Sequence, residues 1–199
     1  MLQRILITPL IAFIFATGAL FAQETSLTLQ NDHDVIIDGT SNARDWDGKV
    51  TSIDAEFLLN GFEGSSLDGL RPEHFKTLKL NMSAKSIESD GRRLTRNIHD
   101  YLKADDHPVI TFELKEIKNI HANGNSADIE AEGVITAAGT SHTVLMNVKA
   151  EKGDNGSFKF SGEQPLKMTD FNIDPPTAML GAIRAADEMT IYYTVRFTK

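Results

Sequence analysis

The sequence predicts an all-β fold, an antiparallel eight-stranded up-and-down barrel with one short α-helix and a long loop near the barrel end. Three observations carry this expectation. Apolar and polar residues alternate with period two through most of the chain after Gln23, the mark of strands with one buried face. Short turn sequences separate successive runs, which makes neighbouring strands antiparallel. An antiparallel series of this length must also bury its edges, and closure into a barrel does so completely. Long strands joined by consecutive hairpins favour the barrel over a two-sheet sandwich.

The first segment stands apart. Met1 to Ala22 place one cation, Arg4, before an almost unbroken apolar stretch from Ile5 to Phe21, and the first acid is Glu24. A charged start, an apolar middle and a small residue at the end make a secretory signal peptide. Pro9, Thr8, Thr17 and Gly18 interrupt the stretch, which is also slightly shorter than the ~20 apolar residues of a spanning helix. Residues 1–22 therefore read as an export signal and residues 23–199 as one barrel domain, periplasmic or secreted, with no membrane-spanning segment once the signal is removed. The full chain of 199 residues carries 20 Lys plus Arg against 28 Asp plus Glu, a net −8. That acidic balance argues against a nucleic-acid partner, because phosphate neutralisation needs a basic face. Without cysteine, thiol catalysis, disulfides, Cys-based zinc sites and lipidation at an N-terminal cysteine are all absent.

The strands follow in order. Leu27 with Leu29, and Val35 with Ile37, begin the series. Ile53, Ala55, Phe57 and Leu59 alternate with Asp54 and Glu56, and Leu78, Leu80, Met82 and Ala84 alternate with Lys79, Asn81, Ser83 and Lys85. Ile110, Phe112 and Leu114 come next, then Ala127, Ile129, Ala131, Gly133 and Ile135. Val144, Met146, Val148 and Ala150 precede Phe158, Phe160 and Gly162, and Met189, Ile191, Tyr193, Val195 and Phe197 close the series. Asn60-Gly61, Asn123-Gly124, Ala138-Gly139-Thr140 and Asn155-Gly156 supply turn chemistry between runs.

Two stretches break the period. Arg92 to Lys103 set Leu94, Ile98, Tyr101 and Leu102 on one stripe of a helix, which Asp106, His107 and Pro108 end. Leu166 to Asp187 contain Pro175-Pro176 and the apolar group Met179, Leu180 and Ile183. This stretch is too long for an idle connection and reads as a lid or packed loop.

The chemistry expected of an enzyme is missing. His33, His74, His99, His107, His121 and His142 show no paired ligand spacing. Asn31-Asp32-His33-Asp34 lacks the glycine and terminal glutamate of a calcium loop. Gly64-Ser65-Ser66 and Gly139 to His142 lack the G-x-S-x-G nucleophile elbow, and no glycine-rich phosphate loop precedes a helix. The sequence thus implies no metal, no cofactor and no catalytic residue.

Two features point to binding. Gly39, Ser41, Ala43, Ala127, Ala131, Gly133 and Gly162 occupy inward positions, and an eight-stranded barrel is wide enough to be filled or to hold one small ligand. Small inward residues leave room, for which Phe57, Phe112, Phe158, Phe160 and Met146 compete. Arg92, Arg93 and Arg96 cluster at the helix start, where they are placed to meet an anionic or polar headgroup, or else pair with nearby acids.

The chain resembles the YceI-like family of exported, lipocalin-like barrels associated with isoprenoids and other long-chain amphiphiles. Met82-Ser83-Ala84-Lys85-Ser86-Ile87 carries the resemblance, followed by His99-Asp100-Tyr101-Leu102-Lys103 and the stretch from His107-Pro108-Val109 to Leu114. Glu132 to Thr140 then match the family's G-x-L-T-x-x-G-x-T hairpin. The chain departs from the pattern at Ala104 to His107, where the family has paired phenylalanines, and at Lys167 to Glu188, a longer link than usual.

The resemblance implies an eight-stranded barrel with a tunnel for an apolar tail. On that basis the expected ligand is one long-chain lipid, isoprenoid or fatty-acid-like. Ile37, Ile53, Phe57, Leu80, Met82, Phe112, Met146 and Phe160 would line the tunnel. Ile98, Tyr101 and Leu102 of the helix, with Phe171, Met179 and Leu180 of the long loop, would close its ends. The other reading is a non-enzymatic cell-envelope interaction module with a filled core, using a surface such as Pro175 to Ile183. The sequence does not set the oligomeric state.

Overall fold

A computed structural model describes residues 24–153 and 156–199. The predicted signal at Met1 to Ala22, and Asn155 of the last hairpin, lie outside these residues. The elements in chain order are β1 (Glu24–Leu29), β2 (Asp34–Ser41), β3 (Trp46–Val50), β4 (Ile53–Asn60), β5 (Phe75–Ser83) and β6 (Ile87–Glu88). They continue with α1 (Arg92–Tyr101), β7 (Val109–Asn123), β8 (Ser126–Ala137), β9 (Thr140–Lys152), β10 (Phe158–Lys167), β11 (Thr177–Ala178) and β12 (Ile183–Thr198).

These segments form a closed antiparallel barrel of eight strands. Three of the eight are interrupted. β1 pairs with the end of β12 (Leu29 beside Phe197) and β2 with its middle (Val35 beside Tyr193), so the two lie on one strand line. β3 and β4 make the next line, broken at Thr51 and Ser52, and β5 and β6 the third, broken by a turn at Ala84–Ser86. β7, β8, β9, β10 and β12 complete the ring.

The inward register is the one the alternation predicts. Leu27, Phe57, Leu59, Ile110, Ile129, Ala131, Ile135, Val144, Ala150, Phe158, Phe160, Val195 and Phe197 are buried. The predicted run of β7 stops at Leu114, but the strand continues to Asn123 through two register shifts, after Leu114 and after Ile117. Each bulge adds one residue and moves the next apolar side chain inward three positions on, so Ile117 is buried and Ile120 packs on the core. A strict period of two does not see them. β3 also escapes prediction, because its inward set of Trp46, Gly48 and Val50 is short and holds a glycine.

Asn60-Gly61 is not a tight hairpin. β4 ends there, but β5 begins only at Phe75, and the connection runs through a short turn at Pro72–His74. Ala138 (φ 48°) and Gly139 (φ 79°) do form a two-residue hairpin of the expected kind. His107 lies over that glycine, where a Cβ would come within 2.6 Å of the imidazole.

The up-and-down path sorts the connections by end. Residues 42–45, α1, Ala138-Gly139 and the long link from Met168 to Ala182 share one end, here called the roof. Residues 61–74, Gly124-Asn125 and the described residues Gly153, Gly156 and Ser157 between β9 and β10 share the other, the floor.

Candidate functional site

The floor is built of aromatic rings. Phe57 stacks on Phe75 at 6.0 Å and meets Phe160 at 5.7 Å and Phe197 edge-on at 5.0 Å. Phe158 lies 6.5 Å from Phe160 and 6.2 Å from Phe62. Beneath them the 61–74 loop buries Phe62, Leu67 and Leu70. That loop is fastened to the next turn: Leu67 N–H donates to the Gly124 carbonyl at 2.7 Å, and Gly124 N–H donates to Asp68 Oδ1 at 2.7 Å. Lys152 Nζ donates to the Ser65 carbonyl at 3.0 Å.

Above the floor the barrel is not filled. An interior cavity holds about 150 Å³ of space for the centres of water-sized molecules. Ile37, Ile53, Leu80, Met82, Phe112 and Met146 line it, with Phe160 at its base. Phe57 does not; it is fully buried among the floor rings. The wall also includes Leu114, Ile129, Ala131, Ile135 and Ile191, which the alternation places inside, and Ile117, which a longer β7 run adds. Its two polar side chains, Gln164 and Tyr193, stand at inward positions of β10 and β12. Tyr193 lies in the predicted inward run, while Gln164 was hidden as a polar residue just before Pro165.

Of the small inward residues Ala131 lines this room, but the glycines do not make it. Each of three glycines seats an aromatic ring instead. A Cβ at Gly39 would come within 2.2 Å of Trp46, one at Gly133 within 2.3 Å of Phe112, and one at Gly162 within 2.5 Å of the Tyr193 hydroxyl. The cavity survives because Phe112 and Tyr193 lie flat over these wall positions rather than reaching across the bore. Burial without a partner pushes the Tyr193 hydroxyl up to about 12.

The roof is made of two pieces. Gly91 (φ 96°) opens α1, and Lys103 (φ 51°) ends it. His99 pins the helix to β6 through a 2.9 Å hydrogen bond between Nε2 and the Ile87 carbonyl. Ile98 approaches Gly48, and Leu102 packs on the core, but neither lines the cavity. Tyr101 is exposed. Arg92, Arg93 and Arg96 are exposed as well, and no carboxylate of the described residues lies within ion-pair distance of them. Arg92 and Arg96 precede Leu94 and Ile98 by two positions, about 200° round the helix, so anchoring the apolar stripe turns them to solvent and away from the cavity.

The second piece is the turn Met168–Phe171. β9 and β10 pair only from Lys152–Phe158 to Val148–Gly162 and then part. Pro165 falls on the unpartnered stretch, where a strand tolerates a residue without an N–H. The turn fills this gap: Met168, Phe171 and Ile173 are buried, and Phe171 packs on His142 at 5.9 Å. Asp187 holds the turn, accepting from Thr169 N–H at 2.9 Å and from its hydroxyl at 2.7 Å. Those bonds hold the Asp187 carboxyl below its ordinary value, the hydroxyl contributing most. Phe171 is thus buried in the roof turn, outside the cavity wall. Met179 (75 % exposed) and Leu180 (fully exposed) do not close the end; they project into solvent at the tip of the β11–β12 hairpin. Asn42 secures that hairpin from outside, its Nδ2 donating to the Ala182 carbonyl at 2.9 Å and its Oδ1 accepting from Arg184 N–H at 2.9 Å.

An open hollow of about 430 Å³ lies where β9 and β10 diverge, lined by side chains of both charges, among them Asp128, Glu130, Lys149 and Glu163. Among the described residues no three His, Asp or Glu side chains converge as a metal site would require, and no helix is long and apolar enough to cross a membrane.

A closed eight-stranded barrel around an apolar chamber defines a class, that of small barrels able to enclose one hydrophobic ligand. The chain belongs to the YceI-like family: the model of the YceI-like domain matches residues 22–197. Among solved structures, the fold is similar to BcnA of Burkholderia cenocepacia, with 18 % identity, TM-score 0.61, and 82 % of this chain and 95 % of that one covered. It is also similar to the Campylobacter jejuni YCEI protein at 21 % identity and TM-score 0.57, covering 76 % and 84 %. A polyisoprenoid binding domain from Saccharophagus degradans, implicated in plant cell wall breakdown, aligns at 7 % identity and TM-score 0.64 over 89 % and 98 %. No curated protein sequence matches this chain.

Proposed function

We propose that this protein is an exported, non-enzymatic binding protein that holds one long-chain amphiphile, isoprenoid or fatty-acid-like, inside its barrel. The observation that carries the reading is the unfilled, hydrocarbon-walled cavity of about 150 Å³. A single water needs ~10–15 Å³ of such space and occupies ~30 Å³ when packed beside others, so the chamber has room for a run of several methylene groups. Each buried CH₂ yields ~0.8 kcal/mol, so a chain of ~10 carbons gains ~8 kcal/mol gross. Association costs of ~4–15 kcal/mol are of the same order, so useful affinity requires a cavity formed in advance, which two anchored ends favour. The polyisoprenoid binding domain of similar fold supports an isoprenoid as ligand. The apolar leader at residues 1–22 supports export. An unfilled interior counts against the filled-core interaction module.

Native mass spectrometry after gentle purification tests the reading. The expected result is a bound mass of a few hundred daltons that organic solvent releases. Ala131→Phe fills the cavity without burying a charge, and the folded variant should lose that mass. Equal lipid content in wild type and folded variant would refute the assignment of the cavity.

A further inference from the structure

β9 and β10 share a ladder only from Lys152–Phe158 to Val148–Gly162. Above that point no main-chain hydrogen bond crosses between the described residues of the two strands. Each strand is secure on its other side: β9 pairs with β8 from Glu151 to Thr140, and β10 with β12 from Phe158 to Lys167. The chamber reaches this seam, for Met146 lines it from β9 and Gln164 stands opposite on β10. The piece that closes the seam is the turn of residues 168–173, whose Met168, Phe171 and Ile173 are buried. Its main-chain bonds stay inside the turn, Asn172 N–H donating to the Thr169 carbonyl and Ile173 N–H to the Met168 carbonyl, both at 3.2 Å. Among the described residues, its ties to the strands run through side chains. Asn172 Nδ2 donates to Thr140 Oγ1 at 3.1 Å, Phe171 packs on His142, and Asp187 accepts from Thr169 twice. The floor has a comparable parting, β5 from β7 below Lys79–Glu113, but its loop is fastened through the main chain, Leu67 N–H to the Gly124 carbonyl. Displacing the roof turn thus uncovers the chamber without breaking a ladder. Parting β8 from β9, or β10 from β12, would break a full one.

We propose that residues 168–173 form a side door, through which a ligand passes between β9 and β10 into the chamber while α1 stays seated. Opening lifts Phe171 off His142 and releases Thr169 from Asp187, and the sheet stays whole. The turn's residues do not line the chamber, so the door governs the rates of exchange and leaves affinity unchanged. This inference rests on the lipid-binding reading above and adds the route by which the ligand enters and leaves.

The chain has no cysteine, so an engineered pair makes one defined disulfide. Thr140→Cys with Asn172→Cys locks the door. Ser89→Cys with Thr95→Cys pins the start of α1 instead, where Thr95 Oγ1 accepts from Ser89 N–H at 3.1 Å. Uptake of cis-parinaric acid by the delipidated protein is followed by stopped-flow fluorescence, oxidised and reduced. The locked door should slow uptake and release about tenfold or more, with reduction restoring both and affinity unchanged. The α1 lock should leave the rates as they are. Asp187→Ala, which frees Thr169, should speed exchange about fivefold, the effect of one lost hydrogen bond. Equal rates in the oxidised and reduced door, or slowing by the α1 lock instead, would overturn the side door and leave the lipid-binding reading standing. Where the engineered thiols do not join, an unchanged rate in Asp187→Ala overturns it alone. No uptake by wild type would overturn both.

Discussion

At the floor of the barrel, Phe57, Phe158, Phe160 and Phe197 pack ring against ring over a loop whose Leu67 is fully buried. At the roof, a ten-residue helix and a short turn are laid over the opening and tied down by single side chains, His99, Asp187 and Asn42. Backbone conformation divides the ends in the same way. Among the described residues, the non-glycine positions at positive φ are Lys103, Ala138, Asn172, Met179 and Leu180, and all five lie in roof connections. The floor turns use Gly61, Gly124 and Gly156 for that conformation. A left-handed residue with a Cβ costs roughly 1–2 kcal/mol, so local strain collects at one end while the other is relaxed and closely packed. Strain of this kind persists where surrounding structure over-determines it, often at sites that bind or move. Under the proposed lipid-binding function, the roof is the end from which a ligand would enter and the floor the end that would set how far it goes.

The sharpest way to break this contrast is at the floor. Phe57→Ala removes a fully buried ring that meets three others, and should cost ~3–5 kcal/mol in chemical denaturation. A loss below 1 kcal/mol would mean the floor is no firmer than the roof. A smaller effect of opposite sign is expected from Leu180→Gly. The side chain is fully exposed and its φ of 55° suits glycine, so the variant should be stabilised by ~0.5–1 kcal/mol. Destabilisation would show that Leu180 makes a contact in solution.

The smallest effect concerns Asp187 and sharpens the comparison through pH. Its carboxyl is held below 3.8 in the folded state by Thr169, so its contribution is fully present above the unfolded value. It is lost as pH falls through the lower, folded one. The Thr169 amide resonance should therefore be constant from neutral pH to about 5 and titrate with a midpoint below 3.8. Asp187→Asn should abolish that titration and leave the resonances of the floor loop unmoved. A midpoint at or above 3.8 would remove Asp187 as the anchor of the roof turn.

Much of the barrel was legible as residue pattern. Wherever one side chain in two faces inward, the period survives in the sequence, and Ile37, Ile53, Leu80, Met82, Phe112 and Met146 could be set on the cavity wall from it. The misplacements follow from features that periodicity does not carry. Phe57 shares its register with Ile53, but its level along the barrel axis puts it in the floor. Tyr101, Met179 and Leu180 are apolar by composition, yet the anchors of their segments turn them outward. For the arginines of α1 the sequence leaves open a headgroup contact or pairing with nearby acids, and seating Leu94 and Ile98 turns Arg92 and Arg96 to solvent. Gln164 was passed over because alternation searches for apolar residues, and a polar one in the inward register looks like the end of a strand.

The sequence by itself determined the fold class, the inward face of nearly every strand, the helix and the absence of catalytic motifs. These follow from local periodicity and turn chemistry, which are written in neighbouring residues. Tertiary structure alone decided that glycines at 39, 133 and 162 seat rings rather than open space, that β9 and β10 part above Gly162, and that Gln164 and Tyr193 meet in one chamber. Height along the barrel axis and contact across it depend on strand stagger and closure, and those are fixed only when residues far apart in the chain pack together.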